Sequence, residues 1–108
     1  MWRIRDRATF DELRRSRLRV RNGPIAVTFV PGTGPPRVAY AVGRRVGTAV
    51  VRNRVRRRLR AVVAEEAAAL APGAYLVAVR PEAAALPFEE LKTTVTSAMT
   101  RVQQLGPR

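Results

Sequence analysis

A chain of 108 residues has room for one domain, and a hydrophobic share of 46% exceeds what a disordered basic tail carries, so one folded unit over residues 1–108 is expected. Twenty-one Lys and Arg against eight Asp and Glu leave a formal charge of +13, a field that attracts polyanions. With no Cys and no His, a disulfide framework, a thiolate metal site and the Ser–His or Cys–His nucleophile pairs are all excluded.

The first element follows Thr9-Phe10-Asp11-Glu12, which has the spacing of a capping box with Thr9 at the N-cap. A short helix to about Arg17 is predicted, with Phe10 and Leu13 inward and Arg14, Arg15 and Arg17 outward. Asn22-Gly23-Pro24 breaks the chain, and the apolar, β-branched residues 25–30 read as a strand. After the Pro- and Gly-rich loop 31–36, the alternation of Val38, Tyr40 and Val42 predicts a second strand, paired with the first as an antiparallel hairpin.

From Thr48 to about Leu70 the period becomes helical. With Arg52 at 0° and about 100° per residue, Val51, Val55, Leu59 and Val62 fall between about 260° and 340°, while Asn53 and five of the arginines fall between about 40° and 240°. One stripe is core and the other is almost pure guanidinium. Pro72-Gly73 ends this helix. Residues 74–80 form the most strand-like stretch of the chain, stopped by Pro81. Pro87 opens a last helix whose inward stripe is Phe88, Leu91, Val95, Met99, Val102 and Leu105. The expected class is α/β (α+β): a small mixed sheet covered by helices in the order α-β-β-α-β-α.

The charge is concentrated. Residues 1–60 hold 17 Arg and three acids, whereas residues 61–108 hold four basic residues and five acids. Residues 42–60 carry eight arginines and no acid in 19 positions. Like charges at i,i+4 (Arg52–Arg56, Arg54–Arg58, Arg56–Arg60) oppose helix formation by a few tenths of a kcal/mol per pair. They also fill the first half of the helix, whose first turns disfavour cations through the dipole and favour anions through free amides. A phosphate backbone relieves both conflicts. A merely solvated face or a nuclear-type basic signal is the plainer reading, but the missing acids and the apolar stripe stand against it. A GC-rich genome accounts equally well for arginine over lysine, though not for the clustering. Asn53 adds directional donors for phosphate, sugar or a neighbouring arginine.

Other candidates weigh less. Phe10 reads first as core and second as a partly exposed ring able to stack on a single-stranded base. Tyr40 and Tyr75 read as core. Glu65-Glu66 and Glu89-Glu90 are adjacent helix residues pointing about 100° apart, which suits neither a catalytic dyad nor a metal site. No apolar run approaches the roughly 20 residues that span a bilayer. Arg3 and Asp6 interrupt at once any signal-peptide core after Met1, so a cytoplasmic, soluble protein with no membrane contact is expected.

Val46-Gly47-Thr48-Ala49-Val50-Val51-Arg52-Asn53-Arg54-Val55-Arg56-Arg57-Arg58-Leu59-Arg60 resembles the signature of the bacterial ribonuclease P protein family: a basic strand end, a glycine, then a helix with an Arg-Asn-Arg core. The likeness runs from the Phe10 helix to the helix opened by Pro87-Phe88-Glu89-Glu90. It implies a two-layer α/β sandwich with a left-handed βαβ crossover, against the usual right-handed rule. It also implies a protein subunit that cleaves no bond. A catalytic RNA holds the Mg²⁺ ions and removes the 5′ leader of precursor tRNA, with no protein partner required and no metal held by the protein itself. By position, Arg44, Arg45, Arg52, Asn53, Arg54, Arg56, Arg57 and Arg60 would contact that RNA, and Phe10 with Arg14 would line the cleft for the leader. Gly43, Arg14 and Thr28 depart from the family pattern, the last two standing where aromatics are common, so leader binding would lean on charge more than on stacking. A structural ribosomal protein, an RNA chaperone and a major-groove DNA binder are the alternatives. The last lacks helix-turn-helix spacing and a dimerisation element.

Overall fold

The computed structural model describes residues 2–106. In chain order they form β1 (Trp2–Arg3), α1 (Arg7–Arg15), β2 (Arg19–Asn22), β3 (Ile25–Pro31), β4 (Arg37–Ala41), α2 (Ala49–Glu66), β5 (Gly73–Val79) and α3 (Phe88–Gln104). Short 3-10 turns at Arg44–Val46, Ala67–Ala69 and Pro81–Ala85 join them. The sheet order is β1-β4-β5-β3-β2, mixed in direction as expected.

The predicted hairpin between the 25–30 strand and the Val38 strand does not form. β5 lies between them, antiparallel to β3 and parallel to β4. The two strands run in the directions of a hairpin but stand two strand spacings apart, about 9.6 Å. β5 takes the centre because it is apolar on both faces and offers seven residues to β3 and five to β4. A true hairpin does form one element earlier, where Asn22 pairs with Ile25 across Gly23-Pro24. β2 is absent from the predicted elements because its exposed residues are arginines; charge is what an edge strand carries to discourage further pairing. The Asn-Gly step, which reads as a simple break, is its available signal.

The first helix also starts earlier than its Thr9 capping box predicts. Asp6 is the N-cap, and its carboxylate accepts the Thr9 amide at 3.0 Å and the Thr9 hydroxyl. Asp is the stronger cap, and its charge suits the positive helix end. Thr9 is buried, so its hydroxyl needs that partner. Together with Arg37 at 3.1 Å, these bonds lower the Asp6 carboxyl to about 2. The helix stops at Arg15, two residues short of the expected end, where the Ser16 hydroxyl donates to the Phe29 carbonyl at 2.6 Å and ties α1 to β3.

Strand alternation divides the sheet residues between two faces. Val20, Ile25, Val27, Phe29, Val38, Tyr75 and Val77 share one core with Val55, Leu59, Val62 and Val63 of α2 and Leu91, Val95, Met99 and Val102 of α3. Leu105, expected in the α3 stripe, is 53% exposed because the helix ends before it. Phe29 and Tyr75, paired across β3 and β5, stack at 4.6 Å between ring centroids. On the opposite face α1 lays Leu13 and part of Phe10 against Ile4, Val30, Ala39, Ala74 and Leu76.

Burial pushes the hydroxyls of Tyr40 and Tyr75 from 10.0 up to about 12. Both are raised acids, so the fold favours their neutral form. Their stabilising contribution is complete below pH 10 and is lost as pH rises through about 12. An ultraviolet titration of tyrosinate should therefore be flat at pH 10 and rise together with unfolding near 12; one tyrosine ionising near 10 in the intact fold would contradict this burial.

Candidate nucleic-acid interface

The basic surface begins where β4 ends. Residues 42–43 lead into the turn Arg44–Val46, which buries Val46 and leaves Arg44 and Arg45 exposed. Gly47 follows at φ +151°, and a Cβ there would meet the Val51 side chain at 2.9 Å. That glycine lets the chain turn directly from the basic pair into α2. Thr48 caps the helix, its hydroxyl accepting the Val51 amide at 3.3 Å.

α2 presents the two stripes expected of it. Val55, Leu59, Val62 and Val63 are buried, and no acid stands in the first turn. Asn53, Arg54, Arg57 and Arg60 are exposed, while Arg52, Arg56 and Arg58 are half-buried. The half-buried three differ in what holds them. Arg56 donates to Asn53 Oδ1 at 3.1 Å and to the Val42 carbonyl at 3.4 Å, which braces α2 against the end of β4. Asn53 thus orients a neighbouring arginine. Arg58, the one arginine of the helix outside the predicted contact set, turns away to the Leu86 carbonyl at 3.4 Å. Arg52 keeps a buried Nε with no hydrogen-bond partner among the described residues.

Three ion pairs occur among the described residues: Arg14–Asp11, Arg37–Asp6 and Lys92–Glu65. None involves residues 44–60. Glu65, at the end of α2, holds Lys92 of α3 at 2.9 Å and raises its pKa. The face from Arg44 to Arg60 is therefore an array of cations that no anion among the described residues neutralises.

A second surface lies across the sheet from the α2–α3 layer. Two cross-strand rows form its floor: Arg19, Thr28, Leu76 and Ala39, then Arg21, Ala26, Ala78 and Ala41. Arg19 and Arg21 are exposed at the β2 edge. Phe10 is half-buried on the α1 side, packed on one flank but not sealed, so it is neither fully core nor free. Arg14, one turn on, is exposed and loosely paired with Asp11 at 3.4 Å. The contribution of β2 to this surface goes beyond the sequence reading, because the strand itself does. Phe10 and Arg14 thus lie on the face of the sheet opposite the layer that carries the α2 arginines.

Among the described residues no helix is long and apolar enough to cross a membrane. The family model described as Ribonuclease P matches residues 1–103. A ribonuclease P protein component of Thermobifida fusca is 42% identical over 93% of this chain and 75% of its own length. One from a Nocardioides species is 38% identical over 93% of this chain and 90% of its own length. Among solved structures, the RNase P protein of Staphylococcus aureus superposes with a TM-score of 0.83 over 93% of this chain and 94% of its own, at 18% identity. That of Thermotoga maritima gives 0.81 over 94% and 97%, at 20% identity. At those identities the structures speak for the fold, which they share with this chain. The sequence matches carry the assignment: the chain belongs to the ribonuclease P protein family.

Proposed function

We propose that this chain is the protein subunit of ribonuclease P, docking its catalytic RNA on the α2 face and receiving the 5′ leader of precursor tRNA on the open face of the sheet. The observation that carries this reading is the array of arginines from Arg44 to Arg60, which no acid of the described chain neutralises, on a member of this family. Arg44, Arg45, Arg52, Asn53, Arg54, Arg56, Arg57 and Arg60 are the docking residues. Asn53 acts partly through Arg56, which it orients.

Bond cleavage belongs to the RNA and its Mg²⁺ ions. The chain brings neither His nor Cys to the reaction. Its contribution is positive charge held in a fixed geometry, which lets two polyanions approach each other with less Mg²⁺. On the leader side Phe10 offers one ring flank, Arg14 a guanidinium, and the β2 edge two more. With Ala26 and Thr28 buried and small alanines beside them, contact with the leader leans on charge.

Reconstitution tests the proposal. Added to its cognate RNA, the protein should lower the Mg²⁺ needed for precursor cleavage and favour leader-bearing precursor over mature tRNA. No change in the Mg²⁺ requirement would overturn it. Within the same assay, Phe10→Ala should weaken precursor binding by about three- to tenfold, roughly 1 kcal/mol of stacking, and leave mature tRNA unaffected. Equal losses on both substrates would remove Phe10 from the leader surface.

A further inference from the structure

Val50 is 77% exposed and belongs to neither core cluster, whereas its neighbour Val51 packs against the main core. Local rules give no reason for a valine there. It is the second residue of α2, where the positive end of the helix favours Asp or Glu. On an exposed helix site a β-branched side chain is also inferior to alanine or an unbranched one.

Its surroundings are specific. At about 100° per residue, Val50 stands between Arg54 and Arg57, with Asn53 alongside, the i, i+3, i+4 and i+7 positions of one stripe. All three neighbours are exposed. An apolar knob therefore sits at the N-terminal end of the cationic stripe, one turn before Arg54 and two before Arg57. Arginines are satisfied by phosphates, but a valine gains only from apolar surface removed from water. A-form duplex RNA offers little of it, since its accessible groove displays hydroxyls and base edges; base faces become available where bases are unstacked.

We infer that Val50 seats against the face of an unstacked nucleobase when the α2 face docks, so that the RNA element held by the first turns of α2 is non-helical. The inference rests on the RNA-docking reading of α2 given above, and adds to it which kind of RNA structure the face selects.

The test measures affinity across a salt series for the wild type, Val50→Ala and Arg54→Ala. The probes are the cognate ribonuclease P RNA transcript and a perfect RNA duplex of about 20 base pairs, long enough to cover the face. Alanine is the better helix former, so thermal stability should hold and serves as the folding control. Val50→Ala should weaken transcript binding about three- to tenfold at every salt concentration, with an unchanged slope, because no counterion is released at a valine. On the duplex it should match the wild type. Arg54→Ala should lower the slope on both probes by about 0.7–0.9. If Val50→Ala binds the transcript like the wild type while Arg54→Ala lowers the slope, the base contact is overturned and the docking face survives. Equal loss on transcript and duplex overturns the selection of unstacked RNA. An unchanged slope for Arg54→Ala overturns the docking reading itself.

Discussion

Replacing Arg54, Arg57 and Arg60 together with alanine is expected to weaken binding of the cognate RNA on the order of 1,000-fold while leaving the fold as stable as before or slightly more so. All three are exposed and make no ion pair among the described residues. At about 1.5 kcal/mol for each charge-assisted phosphate contact, the loss is roughly 4.5 kcal/mol, or about three decades of affinity. The salt slope should fall by about 2–3, because each lost contact removes about 0.7–0.9 of it. Stability should move the other way. The three guanidinia repel one another at i,i+3 spacing, and alanine removes that repulsion while improving helix propensity. Filter binding across a salt series, set beside a thermal melt, separates the two effects. A fall in Tm that tracks the fall in affinity would mean that the arginines hold the fold, and would sink the interface.

The second large effect is structural. Gly73→Ala should destabilise the protein by about 3 kcal/mol or more, lowering Tm by roughly 12–24 °C. Gly73 opens the central strand at φ +141°, a conformation that costs any residue with a Cβ. A Cβ there would also lie 2.3 Å from the Val30 carbonyl oxygen and 2.8 Å from the Phe29 ring. The carbonyl is backbone in a paired strand and cannot swing aside as a side-chain tip can. Relief requires β5 to move relative to β3, which parts the Phe29–Tyr75 stack and shifts the strand that also carries β4. Leu59→Ala, which empties a fully buried site on α2, provides a scale at about 2–5 kcal/mol. A Gly73→Ala protein that melts with the wild type would show that β5 tolerates displacement at its start.

Much of the helical part was legible in the sequence, and so was the candidate site on it. Helical period is a local property: Val55, Leu59 and Val62 announce a buried stripe whatever they pack against, and the acid-free arginines announce the other side. Residues 25–30 and 74–80 are largely apolar on both faces, which marks them as central strands without naming their partners. Strand adjacency was not legible. Val38 and Val27 look equally ready to pair with each other or with Val77, and only the fit of all three strands puts β5 between them.

The cap of α1 shows the same boundary on a smaller scale. The Thr9 capping box marks one helix start, but the structure places it three residues earlier at Asp6, which Arg37 from β4 reaches while Thr9 is buried beneath it. Exposed edge strands such as β2 hide for a related reason, since their outward residues are chosen for solvent and their pairing is visible only from the neighbour.

By itself, then, the sequence determined the class of elements, the apolar stripes, the excess of charge on residues 44–60 and the resemblance to its family, because each is written in neighbouring residues or in short periods. The tertiary structure decided the rest. It placed β5 between β3 and β4 and turned Arg58 away from the cationic face toward Leu86. It braced Arg56 against Asn53 and the end of β4, and left Val50 standing alone among arginines. Those outcomes depend on contacts between residues far apart in the chain, whose energies a local pattern does not contain.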